Sequence, residues 1–268
     1  MEMKRLGSTD AIVPEIGLGT WRYSGGVEPL RRGIELGAFL IDTAEGYNTE
    51  DIVGEAISGI PDRAFIATKV SGRHLSYDAV LRAAEDSLLR LGVDCIDLYQ
   101  VHWPNPVYPI SETMRAMEEL ADRGLVKFIG VSNFSIAELQ EALALMRHHP
   151  IVSNQMLYNL KRREIEIELL PYCEEHGITV MAYTPLDDGS LAAGSRFLKG
   201  RGMKALERIA SETGKTPAQV ALNWCTASPN VIVIPKSNST ERTEENCEAS
   251  GWRLSDAQIK ILNDAFPL

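Results

Sequence analysis

The chain has 268 residues, 44% of them hydrophobic and 24% charged, with a formal net charge of -10 and a pI near 5.1. These proportions describe an ordinary soluble globular protein with enough residues for one large core or two modest ones, and the acidic balance argues against nucleic acid as the main partner, because neutralising phosphates takes a basic face. The opening Met1-Glu2-Met3-Lys4-Arg5 leads into no apolar signal core and no later run is long enough to cross a bilayer, so a cytoplasmic protein without a membrane partner is expected.

Lys4 to Leu6, a Gly-Ser-Thr-Asp turn and Ala11 to Val13 predict an N-terminal β-hairpin. Apolar runs then begin near residues 16, 39, 65, 96, 127, 151, 179 and 231. Between them, Glu28 to Leu36, Ser76 to Leu91, Ile110 to Arg123, Ser135 to Met146 and Ile165 to Glu175 carry apolar residues at three-and-four spacing and read as helices. Ser76-Tyr77-Asp78, Ser111-Glu112 and Ser135-Ile136-Ala137-Glu138 supply cap signals, the last a capping-box pattern. The longest interval holds two helices, Met203 to Glu212 and Pro217 to Thr226, and Ser255 to Phe266 forms a final one. Eight strand-helix alternations without a linker predict an α/β fold, a single (β/α)₈ TIM barrel spanning residues 1–268, with the hairpin in front and an additional C-terminal helix. The runner-up, an open doubly wound sheet, wants a Gly-rich nucleotide turn, and Gly17-Leu18-Gly19-Thr20-Trp21-Arg22 lacks the third glycine.

The second run is the informative one. Phe39-Leu40-Ile41-Asp42 is an apolar strand ending in an acid, and Thr43-Ala44-Glu45-Gly46 turns to present Tyr47. Other strands also stop at polar residues: the third at Lys69, the fourth at His102, the fifth at Ser132-Asn133, the sixth at Asn154-Gln155, the seventh at Tyr183 and the eighth at Lys236-Ser237. In a barrel these ends meet on one face, where active sites of this architecture are built.

These residues resemble the aldo-keto reductases. The resemblance runs from Gly17-Leu18-Gly19-Thr20-Trp21 through Asp42-Thr43-Ala44-Glu45-Gly46-Tyr47, Lys69, Val101-His102-Trp103-Pro104, Gly130-Val131-Ser132-Asn133-Phe134 and Asn154-Gln155 to Ile234-Pro235-Lys236-Ser237, nearly the whole chain. Each motif is weak alone; their order at successive strand ends is specific. The resemblance implies NADPH-dependent reduction of aldehydes and activated ketones by a tetrad of Asp42, Tyr47, Lys69 and His102, with Tyr47 as proton donor. It places Ser132, Asn133 and Gln155 on the nicotinamide carboxamide, Tyr183 beneath the ring, and Lys236, Ser237, Arg242, Glu245 and Asn246 on the adenosine half, with Thr20, Thr184 and Leu186 also in the cofactor site. Two departures stand out: Asp187-Asp188 where the family often has glycine near the pyrophosphate, and Thr243 where an aliphatic residue is common. The family's steroid double-bond reductases carry glutamate where His102 stands, which favours carbonyl over C=C reduction here.

Elementary chemistry agrees with the resemblance. Reducing a carbonyl by hydride needs an acid for the forming alkoxide, and a free phenol is too weak at neutral pH. A neighbouring ammonium lowers the phenol pKa and a carboxylate holds the ammonium, the order that Tyr47, Lys69 and Asp42 supply. His102 would orient the substrate carbonyl. Lys236 and Arg242 in one loop of an acidic protein suit the extra phosphate of NADPH, so NADPH is expected over NADH.

Blander readings stand beside these. Asp42 and Lys69 alone would be a structural ion pair, and a lone His102 a satisfied core or surface histidine, as expected of His74, His148, His149 and His176. Ser132-Asn133 would cap the helix near Ser135, Gln155 would be a solvated rim, and Lys236 and Arg242 ordinary surface. Glu45 reads as structural. Trp21 and Trp103 adjoin strand ends and are read as apolar walls of a substrate pocket rather than core, with Tyr23 and Tyr108 as candidates for its mouth. Two other functional classes remain: a Schiff-base aldolase using Lys69, and a nucleotide-binding regulatory subunit or redox sensor with slow turnover. Cys95, Cys173, Cys225 and Cys247 form no CxxC pair and read as buried thiols, and the absence of HxH or HExxH spacing predicts no metal. The chain stops after its last helix, at Phe266-Pro267-Leu268, so an open pocket taking a broad range of aldehydes and activated ketones is expected, aromatic aldehydes, dicarbonyls such as methylglyoxal and sugar-derived carbonyls among them, in a monomer.

Overall fold

Alternation along the strands sorts their side chains into two cores. Ile41, Ile66, Tyr99, Val101, Ile129, Val131, Val180 and Val233 pack outward against helices, whereas Leu40, Ala67, Leu98, Val152, Met181 and Ile232 form a second cluster inside. Burying each such Leu, Ile or Met side chain stabilises the fold by about 1.5–3 kcal/mol. The structure, a computed structural model, describes residues 1–192 and 200–268.

Strands β1 (Met3–Arg5) and β2 (Ile12–Pro14) pair antiparallel as the expected hairpin. Leu6 and Val13 enter the inner cluster, and Gly7 N donates to Thr179 Oγ1 at 2.8 Å, so the hairpin plugs the N-terminal end of the barrel. Eight parallel strands follow in sequence order: β3 (Leu18–Gly19), β4 (Leu40–Asp42), β5 (Phe65–Val70), β6 (Ile96–Val101), β7 (Val126–Ser132), β8 (Ile151–Leu157), β9 (Thr179–Tyr183) and β10 (Val231–Val233). Parallel bridges Ile16–Val233 and Gly19–Lys236 join the first of them to the last and close a (β/α)₈ TIM barrel. Gly19 is required at that seam, because a Cβ there would lie 2.5 Å from the Ile234 carbonyl oxygen.

The described helices are α1 (Glu28–Glu35), α2 (Glu50–Ile57), α3 (Tyr77–Leu91), α4 (Ile110–Asp122), α5 (Ile136–Leu145), α6 (Leu169–Glu175), α7 (Arg201–Thr213), α8 (Pro217–Thr226), α9 (Thr240–Cys247) and α10 (Asp256–Ala265). Periodicity missed α2 and α9. The first has only eight residues with Gly54 among them, and the second, Thr-Glu-Arg-Thr-Glu-Glu-Asn-Cys, has almost no apolar face to detect. Of the three cap signals only Ser135 makes its bonds, in a complete capping box with Glu138; α4 starts after Pro109, which leaves Ser111 inside it, and the Ser76 side chain makes no cap bond. The region expected to be helical from Ile165 is first a one-turn 3₁₀ helix, Glu164–Glu166, and becomes α-helical at Leu169. Cys173, Cys225 and Cys247 are buried free thiols, and Cys95 is half-buried. No helix among the described residues is long and apolar enough to cross a membrane.

Candidate active site

One pleat beyond the inner apolar layer, the barrel interior turns polar. Asp42 follows Leu40, Lys69 follows Ala67 and Gln100 follows Leu98, each two residues further along its strand and so on the same inward face. All three are buried.

Lys69 Nζ donates to Asp42 Oδ2 at 2.7 Å and to the Thr43 carbonyl at 2.8 Å, and lies 3.5 Å from Tyr47 Oη. Tyr47 Oη is in turn 3.2 Å from His102 Nε2, a hydrogen bond whose direction follows the imidazole tautomer. The other carboxylate oxygen, Asp42 Oδ1, accepts from Gln155 Nε2 at 2.7 Å. A buried ion pair of this kind adds little stability over apolar packing, because desolvating two charges offsets their attraction. Its value lies in fixing an ammonium beneath the phenol.

Local structure delivers Tyr47 to this point. A 3₁₀ turn, Glu45–Tyr47, leaves β4 and ends at Asn48 in the left-handed region. Glu45 Oε1 accepts from Ser71 N at 2.9 Å and pairs with His74 Nδ1 at 2.8 Å, tying the turn to the loop after β5. Behind it, the Thr49 hydroxyl sits 2.9 Å from that of Thr43 and 3.0 Å from that of Thr20, and Thr20 Oγ1 donates to the Asp42 carbonyl. Buried Glu50 accepts from Thr68 Oγ1 at 2.5 Å and from Arg90 Nε at 2.7 Å.

Burial sets the charge states. It pushes the Tyr47 phenol well above its usual range, with the Asp42 charge adding to the effect. The expectation of a lowered phenol pKa therefore does not hold in the resting site, where burial dominates. Burial also lowers the Lys69 ammonium, opposed by Asp42, and lowers His102 to about 4, helped by Lys69. His102 is thus neutral at neutral pH.

A cleft of about 1030 Å³ opens over the tetrad at the C-terminal ends of the strands. Asp42, Tyr47 and His102 lie on its wall together with Thr20, Ser132, Asn133, Gln155, Tyr183, Thr184, Leu186, Lys236, Arg242, Glu245 and Asn246. Lys69 sits behind that wall, fully buried. Ser237 does not reach the cleft; its hydroxyl donates to the Ser239 carbonyl at 2.8 Å. Asn133 Nδ2 donates to the His102 carbonyl at 3.1 Å and its Oδ1 accepts from Tyr183 Oη at 3.0 Å, so these side chains are cross-linked across β6, β7 and β9. Ser132 Oγ donates to the Gln155 carbonyl at 3.0 Å, and helix capping is left to Ser135.

Trp21 and Trp103 are each 51% exposed, both on the cleft wall, and the Trp21 ring centroid is 4.8 Å from that of Tyr47. The other two aromatics expected at the mouth turn away: Tyr23 is buried and donates to the Gly26 carbonyl, and Tyr108 donates to the Arg73 carbonyl. Asp187, the first departure from the family pattern, pairs with Lys161 at 2.8 Å and accepts from Ser190, and it shares left-handed backbone with Thr184 and Asp188. Thr243, the second, is buried and donates to the Ser239 carbonyl. Sequence reading missed Thr49, Glu50 and Gln100; the step of two from inward Leu98 was the available signal for the last.

Tyr47, Asp42 and His102, with Lys69 behind them, thus come together on the C-terminal face of the (β/α)₈ barrel. The chain belongs to the aldo/keto reductase family, whose model matches residues 15–266. It is 37% identical over 272 residues to methylglyoxal reductase YeaE of Escherichia coli (strain K12), covering 97% of this chain and 93% of the relative. Among solved structures, the thermostable aldo-keto reductase Tm1743 in complex with the inhibitor epalrestat superposes with a TM-score of 0.91 at 39% identity, covering 99% of this chain and 100% of that one. An aldo-keto reductase from Klebsiella pneumoniae in complex with NADPH gives a TM-score of 0.90 at 37% identity, covering 100% of this chain and 96% of that one.

Proposed function

We propose that this protein reduces aldehydes and activated ketones, small dicarbonyls such as methylglyoxal among them, with NADPH as the hydride source and Tyr47 as the proton donor. The observation that carries the reading is the pairing of Tyr47 Oη and His102 Nε2, 3.2 Å apart on the cleft wall, with the Lys69 ammonium behind the phenol. Two donors at that separation bracket a single carbonyl oxygen. The likeness to a methylglyoxal reductase and to a reductase crystallised with NADPH supports the substrate class and the cofactor.

The cleft residues suit that cofactor. Lys236 and Arg242 both line the cleft and neither makes an ion pair with a described residue, so two cations are available to phosphate. Ser132, Asn133 and Gln155 would hold the carboxamide and Tyr183 would lie beneath the ring, with Thr20, Thr184, Leu186, Glu245 and Asn246 forming the remaining walls. Bound NADPH supplies the hydride.

Everything else falls to the protein. His102, neutral, hydrogen-bonds the carbonyl oxygen and orients it. Tyr47 keeps its proton at rest because burial disfavours the phenolate, and gives it up only as the far more basic alkoxide forms. Lys69 then faces the phenolate, and Asp42 keeps Lys69 in place. Trp21 and Trp103 wall the substrate side. Lys69 is unsuited to Schiff-base chemistry, being buried behind the wall with Asp42 and the Thr43 carbonyl as its partners.

The experiment is NADPH oxidation with 4-nitrobenzaldehyde and with methylglyoxal, alongside NADPH binding followed by protein fluorescence. Turnover of either substrate supports the reading. Tight NADPH binding without turnover shifts it to a sensor or regulatory subunit, and faster reduction of an enone C=C bond than of the saturated ketone overturns carbonyl reduction.

A further inference from the structure

The barrel interior holds a polar side chain that the chemistry above leaves unused. Gln100 on β6 is fully buried and does not reach the cleft. Its Nε2 lies 3.5 Å from Asp42 Oδ1, and its Oε1 has no hydrogen-bond partner among the described residues. The opposite amide assignment would set a carbonyl oxygen against the carboxylate, so the nitrogen belongs on the Asp42 side.

Strand register places Gln100 in an inward row, Lys69–Gln100–Gly130–Ser153, that crosses four strands. A Cβ on Gly130 would lie 2.9 Å from Gln100 Cγ and collide with Ser153 Oγ, so the glycine is what lets the amide occupy this depth. Filling the space needs only a methionine or leucine. An amide here leaves Oε1 orphaned, which is costly in a barrel core, and sets its nitrogen 3.5 Å from a buried carboxylate, close enough to donate after a small shift.

Asp42 Oδ1 thus has two amide neighbours of different standing. Gln155 holds it at 2.7 Å from the cleft wall, where a bound ligand can compete for the amide. Gln100 stands beneath, out of any ligand's reach. We propose that Gln100 is a positioning residue of the tetrad: it holds Asp42 Oδ1 from below so that Oδ2 stays directed at Lys69, and it becomes the main donor on that oxygen when a ligand draws Gln155 away. The kinetic consequence rests on the proposed reductase activity; the structural one does not.

The test uses protein labelled with [¹³C]aspartate, the Asp42 side-chain carboxyl signal being identified by its loss in Asp42→Asn. Two near-isosteric variants are compared with wild type: Gln100→Met, which has no donor, and Gln100→Glu, which donates only when protonated. The Asp42 signal is expected to move in Gln100→Met, and to move further once NADP⁺ is added. Loss of a hydrogen bond to a charged group should lower kcat by about tenfold or more, with KM for NADPH and for the carbonyl unchanged. Gln100→Glu should keep its kcat at acid pH and lose it as the pH rises, when deprotonation removes the donor and sets a like charge beside Asp42. An unmoved Asp42 signal in Gln100→Met overturns the proposal whether or not the protein turns over. If Gln100→Met does not fold, an Asp42 signal in Gln100→Glu that ignores pH overturns it equally. Absence of turnover and of NADPH binding in wild type would instead overturn the proposed function.

Discussion

Lys69 Nζ and Asp42 Oδ2 are 2.7 Å apart with both side chains cut off from solvent, so each stands in for the water the other has lost. Removing one partner strands the other. Lys69→Met is expected to lose about 3–5 kcal/mol of stability in urea denaturation, and the double variant Asp42→Asn/Lys69→Met to recover most of that loss. Neither should regain turnover, since both leave the phenolate without its ammonium.

Tyr47→Phe keeps the ring that packs on Trp21 and removes only the donor. Carbonyl reduction should fall by about 10²–10⁴-fold while the fluorescence change on adding NADPH persists. Undiminished turnover would assign the proton to another group.

His102 binds its proton with a pKa of about 4 in the folded protein, against 6.5 for an ordinary imidazole. Between those values the unfolded chain takes up a proton that the folded chain refuses. The stability due to the neutral ring is therefore fully present above pH 6.5 and is lost as the pH falls to about 4. Melting temperature should drop more between pH 7 and pH 4.5 in wild type than in His102→Asn, and kcat/KM of wild type should show no inflection near pH 6.5.

Arg242→Ala and Lys236→Met each remove a cation from the cleft wall. Charge-assisted bonds to a phosphate are worth about 1.5–3 kcal/mol each, so Kd for NADPH should rise by roughly 10- to 100-fold. Kd for NADH should change less in Arg242→Ala if that guanidinium grips the extra phosphate, and parallel losses for both nucleotides would remove Arg242 from that role.

Ser135→Ala serves as a control away from the chemistry. Loss of the capping box should cost about 1 kcal/mol and lower the melting temperature by roughly 2–4 °C, without altering kcat. A fall in kcat would mean that α5 transmits strain to Asn133, two residues before the cap.

The tetrad and most of the cleft wall were legible because their residues sit where apolar runs stop, and a barrel gathers such stops on one face. What escaped notice had a local cause. Helix α9 has almost no apolar stripe, so its segment was assigned from family likeness without its structure. Gln100 escaped because it precedes the residue at which its strand stops, although its spacing from Leu98 pointed it inward. Ser237 was assigned to the adenosine half from family likeness, and no residue pattern revealed that its hydroxyl bonds the Ser239 carbonyl. The resting charge state of Tyr47 depends on how deeply Tyr47 is buried and on its nearness to the Asp42 charge, neither of which spacing reveals.

The seam at Gly19 and Lys236 joins strands from the two ends of the chain, so closing the barrel there brings together segments far apart in sequence. Lys236 is at once part of that seam and one of the cations facing the cleft, so a nucleotide held there would tie cofactor binding to barrel closure. Any ligand that binds the folded barrel and not the unfolded chain would stabilise it by about 2.7 kcal/mol at a hundredfold excess over its Kd.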